Sequence, residues 1–344
     1  MPGGRKKQPR PPIGDESDPH GMPALLALYL ERMHVKNYSP ATVKHADDHV
    51  RHFIAWCVDR SVTRASEVTK PMIDRYQRAL FYHRRKNGQP LSFRSQYMML
   101  SSLKLFFRWL VRENHILYNP ASEIELPRVE RRLPKYVLTA NEADRIITMP
   151  DIATRFGLRD RAMLEVLYST GMRRGELARL TIYDIDPERG IVMIRQGKGK
   201  KDRVIPIGER ALAWVEKYLN DARPHLVNEP DDSFLFLAYT GQPFSPDLLT
   251  RWVADYVDKA NIGKRGSCHM FRHSVATLML EGGADIRYVQ EMLGHASIET
   301  TQFYTKVSIR QLKAIHTATH PSAKLERSVA VAVVDDADQP GHDD

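Results

Sequence analysis

A chain of 344 residues exceeds one ordinary core and predicts two domains with tails. Its 42% hydrophobic and 27% charged residues suit a soluble globular protein, and no apolar run approaches the roughly 20 residues that span a bilayer. Lys and Arg number 51 against 42 Asp and Glu, so the net charge of +9 favours a polyanionic partner, while the two distant cysteines, Cys57 and Cys268, exclude a disulfide scaffold.

Residues 1–20, rich in Pro, Gly and charge, predict a disordered extension. No h-region follows its basic residues, so no secretory signal is expected, and reduced thiols point to the cytoplasm. A helical pattern begins at Met22, with Leu25, Leu26, Leu28, Tyr29 and Leu30 as its apolar start. Ser39-Pro40 opens a second helix, with Ser as N-cap and Pro at the first helical position. Val43, Val50, Phe53, Ile54 and Cys57 give that helix a buried face. Lys70-Pro71 opens a third helix, and Leu91–Glu113 makes a fourth. His45, His49 and His52 lie on neighbouring positions of the second helix, but nothing around them completes a zinc set. They predict a polar stripe facing solvent or DNA.

Asn119-Pro120 ends the helical pattern, and LPRVERRLPK (126–135) reads as an extended linker, either lying along a phosphate backbone or serving as a spacer. A second domain starts at Leu138, where Thr139 and Glu142 have capping-box spacing. A helix from Leu158 to Ser169 is ended by Gly171, and another carries Gly175-Glu176-Leu177. The β-rich stretches 191–196 and 203–207 flank Gly197-Lys198-Gly199-Lys200-Lys201 and predict a hairpin. Helices follow near 209–222, 246–260, 269–281 and 286–293.

Several residues in this second half suit phosphate chemistry. His269 and Arg272 share a helix face at i and i+3, with Phe271, Val275 and Leu278 roughly opposite to hold the helix in a core. That placement leaves His269 and Arg272 pointing together at one ligand. Gly294 and Ser297 can cap consecutive helices, which restricts His295 between them. Tyr304 follows about two turns into the new helix; with a phenol pKa near ~10 it attacks only with help from a base or nearby cations. Arg173 follows a helix-ending Gly, and its guanidinium fork matches phosphate oxygens. Glu176 either orients Arg173 or Arg174 or fixes a helix terminus. Lys198, at the hairpin tip, can deliver an ammonium to a leaving oxygen, although a Gly-Lys-Gly-Lys-Lys turn is also simply a soluble turn. The pairs Arg84-Arg85, Arg131-Arg132 and Arg173-Arg174 suit phosphate contacts, but any one pair alone is more often a solvated face.

Taken in order, these elements resemble the tyrosine recombinase (phage integrase) family, particularly its Xer-like bacterial members. The resemblance runs from about Leu25 to His320 and is strongest in TGMRRGEL, GKGKKDRVIPIG, HMFRHSVATLMLEGGADIRYVQEMLGH and TTQFY. It implies a mainly α fold: a helical core-binding, DNA-binding domain (21–125), a linker (126–137) and an α-helical catalytic domain with a small antiparallel β-sheet (138–322). The two domains would close as a C-shaped clamp around duplex DNA. Residues 323–344 extend past the family's usual end as a tail, with a β-prone AVAVV run and an acidic terminus.

By that resemblance the catalytic set is Arg173, Lys198, His269, Arg272, His295 and Tyr304. Tyr304 would be the nucleophile forming a 3′-phosphotyrosyl intermediate. Arg173, Arg272 and His295 would stabilise the phosphate, Lys198 would protonate the leaving oxygen and His269 would assist proton transfer at the tyrosine. The resemblance implies no cofactor and no metal; neither a P-loop nor a carboxylate cluster for two magnesium ions is visible. It implies as partners a double-stranded DNA recombination site and a homo-tetramer or a second related recombinase, with no membrane. Ser308–Thr317 would form a short helix docking on a neighbouring protomer or on its own domain. The competing functions are DNA relaxation by a type IB topoisomerase and a DNA-binding regulator that does not cut.

Overall fold

The computed structural model describes residues 11–15, 17–130, 136–195, 197 and 202–294. The chain divides into two compact units, Met1–Arg131 and Arg132–Asp344. Among the described residues, four α-helices build the first unit: α1 (Met22–Val35), α2 (Pro40–Val58), α3 (Lys70–Tyr82) and α4 (Phe93–Arg112). Their starts follow from local chemistry. Ser39 accepts a hydrogen bond from Thr42 N at 3.2 Å, and Ser92 accepts one from Ser95 N at 3.1 Å. Each bond satisfies a donor that the first helical turn leaves open.

The expected apolar face of α2 is buried, and Phe53 packs edge-on against Tyr76 of α3 (ring centroids 4.9 Å apart) and Phe107 of α4 (5.8 Å). Full burial of each such ring contributes roughly 2–3 kcal/mol. Within α1, Leu25, Leu26, Tyr29 and Met33 are buried, whereas Leu28 lies on the outer face. Ile13 packs against this core from the segment before α1.

The α2 histidines depart from a uniformly outward stripe. His45 is exposed, but His49 Nδ1 lies 2.8 Å from Ser102 Oγ and His52 Nδ1 lies 2.9 Å from the Tyr76 hydroxyl. Helices α3 and α4 reach across this part of the stripe. Burial, followed by the neighbouring histidines, holds both imidazoles below their ordinary pKa. Among the described residues, no group of three or more His, Cys, Asp or Glu is placed to hold a metal ion.

The second unit is mainly helical around a small antiparallel sheet. Its elements are α5 (Ala140–Ile147), α6 (Arg155–Thr170), α7 (Arg174–Leu177), β1 (Ile185–Asp186), β2 (Ile191–Ile194), β3 (Arg203–Pro206), α8 (Glu209–Asp221), α9 (Pro246–Lys259), α10 (Cys268–Glu281) and α11 (Ile286–Leu293). The Thr139–Glu142 capping box forms, with reciprocal bonds of 3.2 and 2.8 Å. Helix α6 begins earlier than its apolar pattern suggests. Thr154 caps it by accepting from Gly157 N at 3.0 Å, adding a first turn that periodicity does not reveal.

Strands β2 and β3 pair antiparallel with Ile194 opposite Arg203, and β1 adds a two-residue edge beside β2. Val192 and Ile194 point inward while Met193 points out, the alternation of a half-buried strand. Helix α10 is central, with Phe271, Ala276 and Leu280 buried around it. Its Ser274 hydroxyl accepts from Leu138 N at 2.7 Å and donates to Met270 O at 2.8 Å, tying the start of the unit to its middle. No helix among the described residues is long and apolar enough to cross a membrane.

Candidate active site

Helix α6 ends at Gly171, which takes a left-handed φ of 58°. A Cβ there would sit 2.8 Å from Leu293 Cδ2, so only glycine fits both the turn and the packing. Two residues on, Arg173 N-caps the single turn of α7. Its backbone N–H donates to Glu176 Oε2 at 2.8 Å and its Nη1 donates to Glu176 Oε1 at 2.9 Å. Glu176 therefore both closes the helix start and orients Arg173. Arg174 points elsewhere and donates to Thr250 Oγ1 at 2.5 Å, beside the start of α9.

Glu176 is 4% exposed and carries a second guanidinium. Arg203 binds it bidentately, Nη1 to Oε1 at 2.9 Å and Nη2 to Oε2 at 2.7 Å. Burial pushes the Glu176 carboxyl up, but the hydrogen bonds from Arg203 and Arg173 outweigh it and leave the pKa at about 2. The carboxylate is thus ionised at any physiological pH.

The arginines also meet the end of α11. Arg203 Nε donates to Met292 O at 3.1 Å, Arg272 Nη2 to Leu293 O at 2.5 Å and Arg173 Nη2 to Gly294 O at 2.6 Å. Arg272 Nη1 also donates to Gly171 O at 2.9 Å. Carbonyls at a helix C-terminus lack intrahelical partners and carry its negative dipole end, so three consecutive ones suit three cations. Gly294 caps the helix at φ 63°, and a Cβ there would lie 2.9 Å from Arg203 Nε.

Arg272 differs from its expected placement. It is 4% exposed and held among backbone carbonyls rather than projecting from an open face with His269. The helix is central enough that its i and i+3 side chains face different surroundings. Leu278, expected in the core, is only partly buried. His269 is exposed at its surface, yet burial of part of its ring, then the charges of Arg174, Arg272 and Arg173, holds its pKa below the ordinary value. Both influences favour the neutral ring, which has a nitrogen open to a proton, while weakening it as a base. Burial, then His269 and Arg272, lowers His273 further, to about 4.

Arg173 and Arg272, two of the six expected site residues, thus meet at adjacent carbonyls, and His269 lies within their electrostatic influence. Lys198, His295 and Tyr304 lie outside the described residues, as do the Ser308–Thr317 helix and the 323–344 tail. Arg203 is absent from the expected set. Its signal was available: it shares a strand face with Ile205, which is 1% exposed, and a cation facing inward requires a partner. With three guanidiniums at one helix end and a single carboxylate shared by two of them, the local field is positive and suits an anionic oxygen.

The Phage integrase family model matches residues 136–310, and the Phage integrase N-terminal SAM-like domain matches residues 25–116. The chain is also 48% identical, over 89% of its length and 88% of the relative's, to "Tyrosine recombinase XerC 2" of Ralstonia nicotianae. The chain belongs to the phage integrase family. Among solved structures, a XerH site-specific recombinase bound to palindromic difH substrate has a TM-score of 0.66 at 21% identity, covering 85% of this chain and 83% of that one. A lambda integrase tetramer bound to a Holliday junction gives 0.60 at 19% identity, covering 83% of this chain and 77% of that one. Both likenesses show the integrase fold, a helical N-terminal unit followed by a mainly helical unit with a small antiparallel sheet.

Proposed function

We propose that this phage integrase family member is a site-specific recombinase that cuts and rejoins duplex DNA through a 3′-phosphotyrosyl intermediate. The observation that carries this reading is the convergence of Arg173 and Arg272 on the adjacent carbonyls of Gly294 and Leu293, directly before His295. Arg173 is held at its back by Glu176 and Gly294, so the rest of its fork is aimed before substrate arrives.

In the proposed reaction Tyr304 Oη bonds to the scissile phosphorus as the bond from phosphorus to O5′ breaks. The phenolic proton passes toward His269, and Lys198 supplies a proton to O5′. Arg173, Arg272 and His295 stabilise charge on the non-bridging oxygens. One phosphoester replaces another, so the step requires no nucleotide hydrolysis, and a 5′-hydroxyl from the partner strand reverses it. Exchange between two duplexes takes four such cleavages, hence four active sites. They are supplied by a homo-tetramer or by assembly with a second related recombinase. The helical unit (21–125), joined through the 126–137 linker to the catalytic domain (138–322), would add its own contacts to the recombination site. The two buried free cysteines support a cytoplasmic setting.

The test begins by mapping the duplex DNA that the purified chain protects, then building that sequence into a nicked suicide substrate. The wild type is expected to form a covalent adduct and Tyr304→Phe none. Joining of two such duplexes distinguishes recombination from simple relaxation of supercoils. A wild-type chain that protects DNA without forming an adduct would overturn the reading in favour of a non-cleaving regulator.

A further inference from the structure

We infer that Arg203 is a positioning residue that holds Arg173, through Glu176, and the C-terminal end of α11, through Met292 O, in one fixed arrangement. The inference rests on the recombinase reading and extends it to a residue outside the six proposed catalytic groups. Arg203 begins β3, five residues after Lys198 in the sequence, and its side chain is 13% exposed. One guanidinium joins three segments. It grips both Glu176 oxygens at 2.9 and 2.7 Å and donates from Nε to Met292 O at 3.1 Å. The same carboxylate takes the Arg173 side chain at 2.9 Å, while Arg173 takes Gly294 O at 2.6 Å. The result is a closed circuit: β3 to α7, α7 to the end of α11, and α11 back to β3.

Geometry explains why the residue is an arginine. A planar fork can bind a carboxylate bidentately while a third N–H reaches a carbonyl; an ammonium has no such directionality. The approach is close enough that Gly294 has no room for a side chain, since a Cβ would meet Arg203 Nε at 2.9 Å and Cζ at 3.0 Å. Without Arg203, Glu176 would have Arg173 as its remaining guanidinium partner among the contacts described, and Met292 O would lose its donor. Arg173 could then follow Glu176 away from the α11 end. Arg203 is not assigned contact with DNA; its effect on chemistry passes through Arg173.

A double-mutant cycle on the full chain tests this, with single-turnover adduct formation measured on the protected suicide duplex at saturating protein. Arg203→Ala is expected to slow cleavage about 100-fold, the scale on which small misplacements of catalytic groups act, with little change in duplex affinity. Arg203→Lys, which keeps the charge and loses the fork, should recover only a small part of the rate. Arg173→Lys with Arg203→Ala should be no slower than Arg173→Lys alone, because the second change acts through a group already impaired. Wild-type cleavage by Arg203→Ala, or rate losses that multiply in the double variant, would overturn the inference. Should Arg203→Ala not fold, Arg203→Lys and Arg203→Gln carry the same cycle. If the wild type forms no adduct, the recombinase reading fails and the inference with it. If the wild type cleaves and the cycle is multiplicative, only the inference fails.

Discussion

Glu176 shows how much one side chain can carry. The sequence offers it two roles, orienting a neighbouring arginine or closing a helix start, and the structure combines them on Arg173. Because its carboxyl pKa falls to about 2, its ionised form stabilises the fold above the unfolded value near ~4.5, and that stabilisation is lost as pH falls through the folded value. The magnitude is about 3 kcal/mol. His273 has the same sign at higher pH: its pKa of about 4 lies below the unfolded imidazole's ~6.5, so stability is lost as pH falls across that interval. Glu176→Gln is expected to cost roughly 3 kcal/mol at neutral pH, leaving two partly buried arginines undercompensated. It should also flatten the acid limb below about pH 4.5 while leaving the His273 limb. Urea midpoints at several pH values check this; an unchanged acid limb in the variant would refute the assigned role.

At the scale of elements, the helix ends were the most legible features. Gly171 and Gly294 read as helix-ending glycines from sequence, and both take left-handed backbone at the ends of α6 and α11, with φ 58° and 63°. Ser39 and Thr139 likewise sit where N-caps were expected. Less legible were features without a periodic signal: the polar first turn of α6 and the two residues of β1. The histidine stripe failed as a uniform outward face because its spacing specifies one side of a helix but not which neighbours cover that side. Gly294→Ala is expected to lose about 1–2 kcal/mol from the left-handed backbone alone. The added methyl must also displace Arg203, so single-turnover cleavage should fall by more than the stability loss explains. A variant with full cleavage and normal stability would show that the α11 end tolerates a side chain.

For the whole molecule, the charge balance becomes a prediction about binding. With 51 cationic residues against 42 acidic ones, affinity for duplex DNA should fall steeply with salt. Contact with about six phosphates would give a log–log slope near −5. Titrations at graded salt measure it, and a slope near zero would contradict a phosphate-tracking surface. Two units were expected from length and from the Pro-rich basic stretch before Leu138, and the chain divides at Arg131.

By itself the sequence determined what depends on near neighbours: helical and strand periods, capped ends, and the order and type of the residues that resemble a recombinase's catalytic set. It also placed Arg173 just beyond a turn-forming glycine. Only the tertiary structure decided that Arg272 is buried among carbonyls, that Glu176 serves two guanidiniums, and that Arg173, Arg203 and Arg272 meet at one helix end. Those contacts join α7, β3, α10 and α11, which lie far apart along the chain. Local spacing fixes the face on which a side chain lies, whereas the partner of a buried charge depends on which distant elements pack against that face.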